Sequence, residues 1–350
     1  MNKNSTYGIA SAATILLGIM AWLLFVYLTT GQTTDALLNP TDDDAYIHAD
    51  TGHNEQEPIW PIPVGYRLDE NKISLGEALF NDPRLSHDNT VSCATCHVLS
   101  MGGTDQRVYS LGNSGALGNV NSPTVFNSGL NFRQFWDGRA ETLEDQVEGP
   151  VHHPAEMGSN WPDIINKLRQ DARYVQQFNK LYPDGIQSHT IKDAIATYER
   201  SLITPNSRFD KYLRGDQQAI TEEEKAGYAL FKSYGCAACH QGKNVGGNMY
   251  QTFGITADYF SDRGNGSKVD LGRFNVTGDE RDRHTFRVPS LRLAVLTPPY
   301  LHDGSAATLE EAIDIMGKYQ LGREITPGDM SLLIKFLYTL PGEYNGKPLL

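Results

Sequence analysis

The sequence predicts a mainly α-helical fold of two domains behind an N-terminal transmembrane helix. Three observations predict it. A C-x-x-C-H motif occurs twice, at Cys93-Ala94-Thr95-Cys96-His97 and at Cys236-Ala237-Ala238-Cys239-His240. Around both copies, apolar residues recur at helical spacing behind Ser, Thr or Asp start signals. The run from Tyr7 to Leu28 is almost wholly apolar and carries no charge. With 350 residues and motifs about 140 residues apart, the chain has room for one motif in each of two domains.

Taken in order, residues 1–30 read as a membrane anchor, because about 20 helical residues at ~1.5 Å each cross a bilayer core. Lys3 precedes the run, and Asp35 and Asp42-Asp43-Asp44 follow it, so the remainder is expected outside the cytoplasm. A cleaved signal peptide is the alternative; the run is long for one and no A-x-A site follows closely. Both readings place the body in the periplasm. Residues 31–63 lack apolar periodicity and read as a tether, with Ile59-Trp60-Pro61-Ile62-Pro63 extended because residues before proline avoid the helical region. Two domains follow, 64–205 and 206–350, with the junction near Pro205-Asn206-Ser207.

Helix starts are expected at Ser74 with Glu77, Thr142 with Asp145, Pro162, Asp171, Thr190 with Asp193, Thr221 with Glu224, Thr308 with Glu311, and Thr326 with Asp329. Stretches 102–122, 241–254 and 261–280 are rich in Gly and Asn and read as long irregular loops. A large flat apolar cofactor allows loops and short helices to bury a core around it.

C-x-x-C-H is the attachment signature of c-type haem. Two thiols one helical turn apart bond the porphyrin vinyl groups, and the adjacent His ligates the iron. The four cysteines are the whole complement. A four-thiolate zinc site, a redox dithiol or disulfides could use them, but none accounts for a His after both pairs. Cys93, Cys96 and His97 are thus expected to hold one covalent haem c and Cys236, Cys239 and His240 a second, each in a cytochrome c-like domain. The net charge of −12 excludes the basic stripe that nucleic acid needs and suits either a basic electron donor or simple solubility.

The sixth ligands decide the chemistry, because two strong axial ligands give an electron carrier and one vacant position gives a peroxide site. Met316, followed by a glycine that would allow close approach to a ring, is the candidate for the second haem; a core Met is the alternative. No His or Met is well placed for the first, Met101 and His87 being too near the motif in sequence.

The segments Asn121-Ser122-Pro123-Thr124-Val125-Phe126-Asn127-Ser128 and Gln134-Phe135-Trp136-Asp137-Gly138-Arg139-Ala140 resemble bacterial dihaem cytochrome c peroxidases. So do Gln146, Gly149-Pro150-Val151, Glu156-Met157, Leu296-Thr297-Pro298-Pro299-Tyr300 and Ile315-Met316-Gly317-Lys318. The likeness runs from about Ile73 to Leu340, in order, with both haem motifs in register.

The resemblance implies reduction of hydrogen peroxide to water, with electrons from a small cytochrome c or cupredoxin. It implies that His97 holds the peroxidatic haem, and His240 with Met316 the electron-transfer haem. Trp136 would relay electrons, and Glu156 would act as acid–base group with Gln146 beside it. Asn121, Thr297 and Pro299 would bind one calcium ion through oxygen, as calcium prefers. Relatives are often homodimers. In the best-known members a loop His ligates the peroxidatic iron until reduction releases it; Asn113 stands at that place here, which implies activity without reductive activation. Two rival readings are a dihaem oxidase acting on a protein substrate, whose members carry Tyr where Met316 stands, and a non-catalytic dihaem electron carrier. Arg139 and Arg292 are candidates for haem propionates or for ordinary salt bridges.

Overall fold

The computed structural model describes residues 45–48 and 56–350. The expected anchor, 1–30, and residues 31–44 and 49–55 of the expected tether lie outside the described residues. Among the described residues no helix is long and apolar enough to cross a membrane. Helices and single helical turns dominate. Extended pairing among the described residues is limited to three two-stranded antiparallel ladders and isolated bridges. The largest ladder joins Tyr250–Thr252 to Thr285–Arg287.

The apolar side chains gather in two main cores. One draws on residues from Ile73 to Leu202, with Leu293. The other draws on residues from Phe209 to Leu340, with Ile59. A smaller cluster of Tyr259, Phe260, Phe286 and Tyr319 packs beside Trp136.

Each main core is built on a close crossing of two helices. Glu70–Phe80 crosses Ser188–Ser201 at Gly76, where a Cβ atom would lie 1.9 Å from Ala194 O. Glu222–Ser233 crosses Pro327–Leu337 at Gly227, where it would lie 2.0 Å from Leu332 O. Alanine would add about 1 kcal/mol of helix propensity at such a site, but the clash is with backbone that cannot rotate aside, and overpacking costs about 1–3 kcal/mol or more. Gly227→Ala is therefore expected to lower the unfolding temperature of the haem-loaded protein in a thermal melt; an unchanged or raised value would mean that the crossing is looser than described.

Thr142, Thr221, Thr308 and Thr326 accept the backbone N–H of Asp145, Glu224, Glu311 and Asp329, as expected of N-caps. Asp171 caps Ala172–Leu181, and Pro162 lies in the first turn of Trp161–Arg169. Two starts differ. The helix expected at Ser74 begins at Glu70, because Asp69 accepts the N–H groups of Asn71 and Lys72. The helix expected at Thr190 begins at Ser188, and Thr190 Oγ1 accepts the N–H of Gln187 from inside the first turn. In both places a polar residue within the helix imitates a start signal.

The end of the expected tether is packed down. Ile59 and Ile62 are fully buried. Gly242 N donates to Pro58 O at 2.8 Å, Arg292 Nη2 to Trp60 O at 2.6 Å and Arg214 Nη2 to Ile62 O at 2.7 Å. Proline at 61 and 63 keeps this strap extended, so its carbonyls stay free to accept.

Candidate haem sites

At the second motif, left-handed Gly235 turns the chain out of the preceding helix, and Cys236–Ala238 forms one tight turn. His240 Nδ1 stands 3.4 Å from Val245 O, which fixes the ring and leaves Nε2 for iron. Burial holds this imidazole down at about 4, in the neutral form that ligates metal. One large apolar cavity is lined by Cys236, Cys239, His240 and Met316, with Phe231 and Leu333. The residues fit a covalently held haem with His and thioether ligands. Met316 opens a π-helical turn, Met316–Leu321, after the helix Leu309–Ile315; such turns re-aim side chains and are frequent at functional sites. A Cβ at Gly317 would meet Ile325 Cγ1 at 2.8 Å and Arg323 O at 3.0 Å, so the glycine lets this turn pack against residues 323–325.

At the first motif, Cys93–Cys96 is a single α-turn behind Ser92. His97 Nδ1 stands 3.3 Å from Gly103 O, and burial holds the ring below the usual imidazole range. The thiols and imidazole therefore fit a covalent haem here too. The Cys93 thiol is pushed up to about 12, chiefly by burial and next by Glu199. Glu199 is itself buried and pushed up to about 8 by desolvation; no motif in the sequence singles it out. The cysteines form no disulfide. Among the described residues they do not converge as a zinc site would, the one such cluster being Asp270, His302 and Asp303. There the Arg263 guanidinium bridges both carboxylates and fills the place of a cation.

Glu156 follows the helix Leu143–His152, which also carries Gln146. Its side chain is 41% exposed, and Oε1 lies 3.5 Å from His153 Nδ1. Partial desolvation raises its carboxyl above the ordinary range, while His153 and Arg139 pull it back. His153, given no role by the sequence, is thus brought to Glu156. Gln146 is half-buried; no direct hydrogen bond joins it to Glu156 among the described residues. Arg139 pairs with Asp137 at 3.0 Å and lies 3.5 Å from the Phe135 ring centroid. Arg292 pairs with Asp210 in the core. Both arginines are in salt bridges.

Trp136 lines the cavity of the second site, and its Nε1 donates to Asn121 O at 2.8 Å. His302 stands beside it, ring centroids 6.4 Å apart, and bonds Asp270 at 2.7 Å. Asn121, Thr297 and Pro299 line the same cavity. Asn121 Nδ2 donates to Arg107 O at 2.9 Å, so Oδ1 is the atom left to face a cation. The Thr297 and Pro299 carbonyls accept no hydrogen bond from the described residues. The three positions therefore offer neutral oxygens of the kind calcium takes.

A family model described as di-haem cytochrome c peroxidase matches residues 70–218. Cytochrome c peroxidase Ccp of Escherichia coli (strain K12) is 47% identical over 302 residues, or 86% of this chain and 64% of that protein. Cytochrome c551 peroxidase of Nitrosomonas europaea is 44% identical over 288 residues, 82% of this chain and 85% of that protein. The chain belongs to the di-haem cytochrome c peroxidase family. It spans under two thirds of the length of the E. coli relative and most of the N. europaea one. Among solved structures, a MauG-like protein associated with microbial copper homeostasis is similar at a TM-score of 0.72 and 32% identity, covering 82% of this chain and 94% of that one. The family's description implies two haem c groups, and the chain's two C-x-x-C-H motifs match that number.

Proposed function

We propose that this peroxidase reduces hydrogen peroxide to water at the His97 site, drawing electrons from a small cytochrome c or cupredoxin through the His240 site. The observation that carries it is an asymmetry. Met316 shares a cavity with His240, whereas Asn113, whose backbone N–H bonds Glu156 O, has its side chain held by Asp88 and is a poor iron ligand. Haem, when bound, supplies the electron-transfer and peroxide chemistry at the two sites. The chain does the rest. Cys93, Cys96 and His97 hold the first haem in domain 64–205, and Cys236, Cys239, His240 and Met316 hold the second in domain 206–350.

Trp136 offers an indole between the two sites, anchored by its bond to Asn121 O. Glu156 takes a proton from one oxygen of the peroxide and gives it to the other, so that the leaving group departs as water. Its raised carboxyl suits both halves of that task. Gln146 helps to orient the peroxide. Asn121, Thr297 and Pro299 hold a calcium ion that keeps Trp136 in place. With no carboxylate in the set the affinity is modest, and a chelator is expected to slow turnover until calcium is restored. The body works in the periplasm, held by the apolar run from Tyr7 to Leu28.

Peroxide-dependent oxidation of a reduced small cytochrome c by the haem-loaded protein tests the reading. Turnover is expected; its absence with both haems in place leaves an electron carrier. Met316→Ala is expected to lower the potential of the second haem, since thioether ligation raises it, and to slow electron entry. An unchanged potential in a redox titration would remove Met316 from the ligand set.

A further inference from the structure

Three segments meet beside Glu156. In the first, His87 N donates to Met157 O at 2.8 Å, and Lys167 Nζ ties down Ser86 O and His87 O at 2.7 and 3.1 Å. In the second, Asn113 N donates to Glu156 O at 2.6 Å. Gly112 lies so close that a Cβ atom would stand 2.0 Å from Ala155 O and 2.7 Å from Glu156 Cα. The third is residues 155–157 themselves.

Asp88 joins the first two. Its Oδ2 accepts Ser114 N at 3.1 Å and Ser114 Oγ at 3.3 Å. Asn113 Nδ2, oriented to donate, lies 2.7 and 2.8 Å from its two oxygens. Thr90 N and Oγ1 hold Oδ1 at 3.0 and 2.5 Å. A carboxylate with this many donors makes charge-assisted bonds, about twice as strong as neutral ones. The bonds from Thr90, and then those from Ser114, hold the Asp88 carboxyl below its ordinary range, so it is ionised at neutral pH.

We propose that Asp88 is the positioning residue of the peroxide site: by clasping Asn113 and Ser114 it presses the 112–114 loop onto the backbone of Glu156 and fixes where that carboxylate stands. The inference rests on the acid–base reading of Glu156 and adds how the site is kept assembled. No partner in the clasp is a haem ligand, so the loop is held whatever the oxidation state of either haem. Asp88 acts through Asn113, and the residue that meets peroxide is Glu156.

Misplacing a reacting group by about 1 Å costs on the order of a hundredfold in rate. Asp88→Ala in the haem-loaded enzyme is therefore expected to lower kcat/KM for peroxide roughly ten- to a hundredfold, and Asp88→Asn, which keeps one acceptor, by less. Both should leave the half-saturating donor concentration unchanged. The acid limb of the pH profile should move toward that of an ordinary glutamate as Glu156 becomes better solvated, and the Asn113 and Ser114 amides should exchange faster. Asp88→Ala with faster exchange but wild-type kcat/KM and pH profile overturns the proposal. If Asp88→Ala sheds haem, Asp88→Asn carries the same test. A fully active Glu156→Gln would defeat the underlying reading instead, whatever Asp88 does.

Discussion

Glu156→Gln is expected to lower kcat/KM for hydrogen peroxide by about 10²- to 10⁴-fold, the usual contribution of a placed acid–base group, with both haems retained. Glutamine keeps the shape of the side chain and its place 3.5 Å from His153, but it cannot take up and return a proton. The pH dependence gives an independent reading. The ionised carboxylate must accept the first proton, so activity falls as pH drops through its pKa. Burial raises that pKa, so the acid limb should lie above that of an ordinary glutamate. Arg139 pulls the value down; Arg139→Leu should therefore move the limb to still higher pH. Steady-state assays across pH would check both, and full activity of Glu156→Gln would take the residue out of the mechanism.

The largest expected effect on stability is at Arg292. Its side chain and that of Asp210 are both 0% exposed, 2.8 Å apart. The guanidinium also donates to Lys243 O at 2.7 Å and Trp60 O at 2.6 Å. It thereby ties the strap of residues 58–62 to the loop after His240. Arg292→Met leaves a buried carboxylate without its partner, which costs about 3–5 kcal/mol against a total stability of about 5–15 kcal/mol. The same loop carries Val245, whose carbonyl faces His240 Nδ1, so the spectrum of the second haem should shift as well. Arg292→Lys keeps the charge but not the fork and should cost less. Denaturant unfolding of the haem-loaded variants checks the order; Arg292→Met within about 1 kcal/mol of wild type would show that Asp210 finds its charge balance elsewhere.

The sequence was most readable where the physics is local. A C-x-x-C-H motif confines its chemistry to five residues, and the caps at Thr142, Thr221, Thr308 and Thr326 are settled within one helical turn. Asp69 and Gln187 displaced two expected starts because several polar residues near a helix end can satisfy the same N–H groups. The strap at 58–62 reads as linker in the sequence because its buried apolar residues, Ile59 and Ile62, are too few for a period, and their burial depends on partners such as Gly242 and Arg214 far along the chain.

The same distance hid much of the site. Arg292 and Asp210 are 82 positions apart, and Asp88 and Ser114 are 26 apart; neither pair has a spacing that marks it. Arg263, Asp270 and His302 come together beside Trp136 only in the fold. His153 is the exception, since its three-residue offset from Glu156 places both in one turn.

The measurement that bears most directly on the account is the electron paramagnetic resonance spectrum of the fully oxidised protein. With Met316 in the same cavity as His240 and Asn113 held by Asp88, it should show one low-spin signal from the second haem and one high-spin, five-coordinate signal from the first. Two low-spin, six-coordinate signals would contradict it.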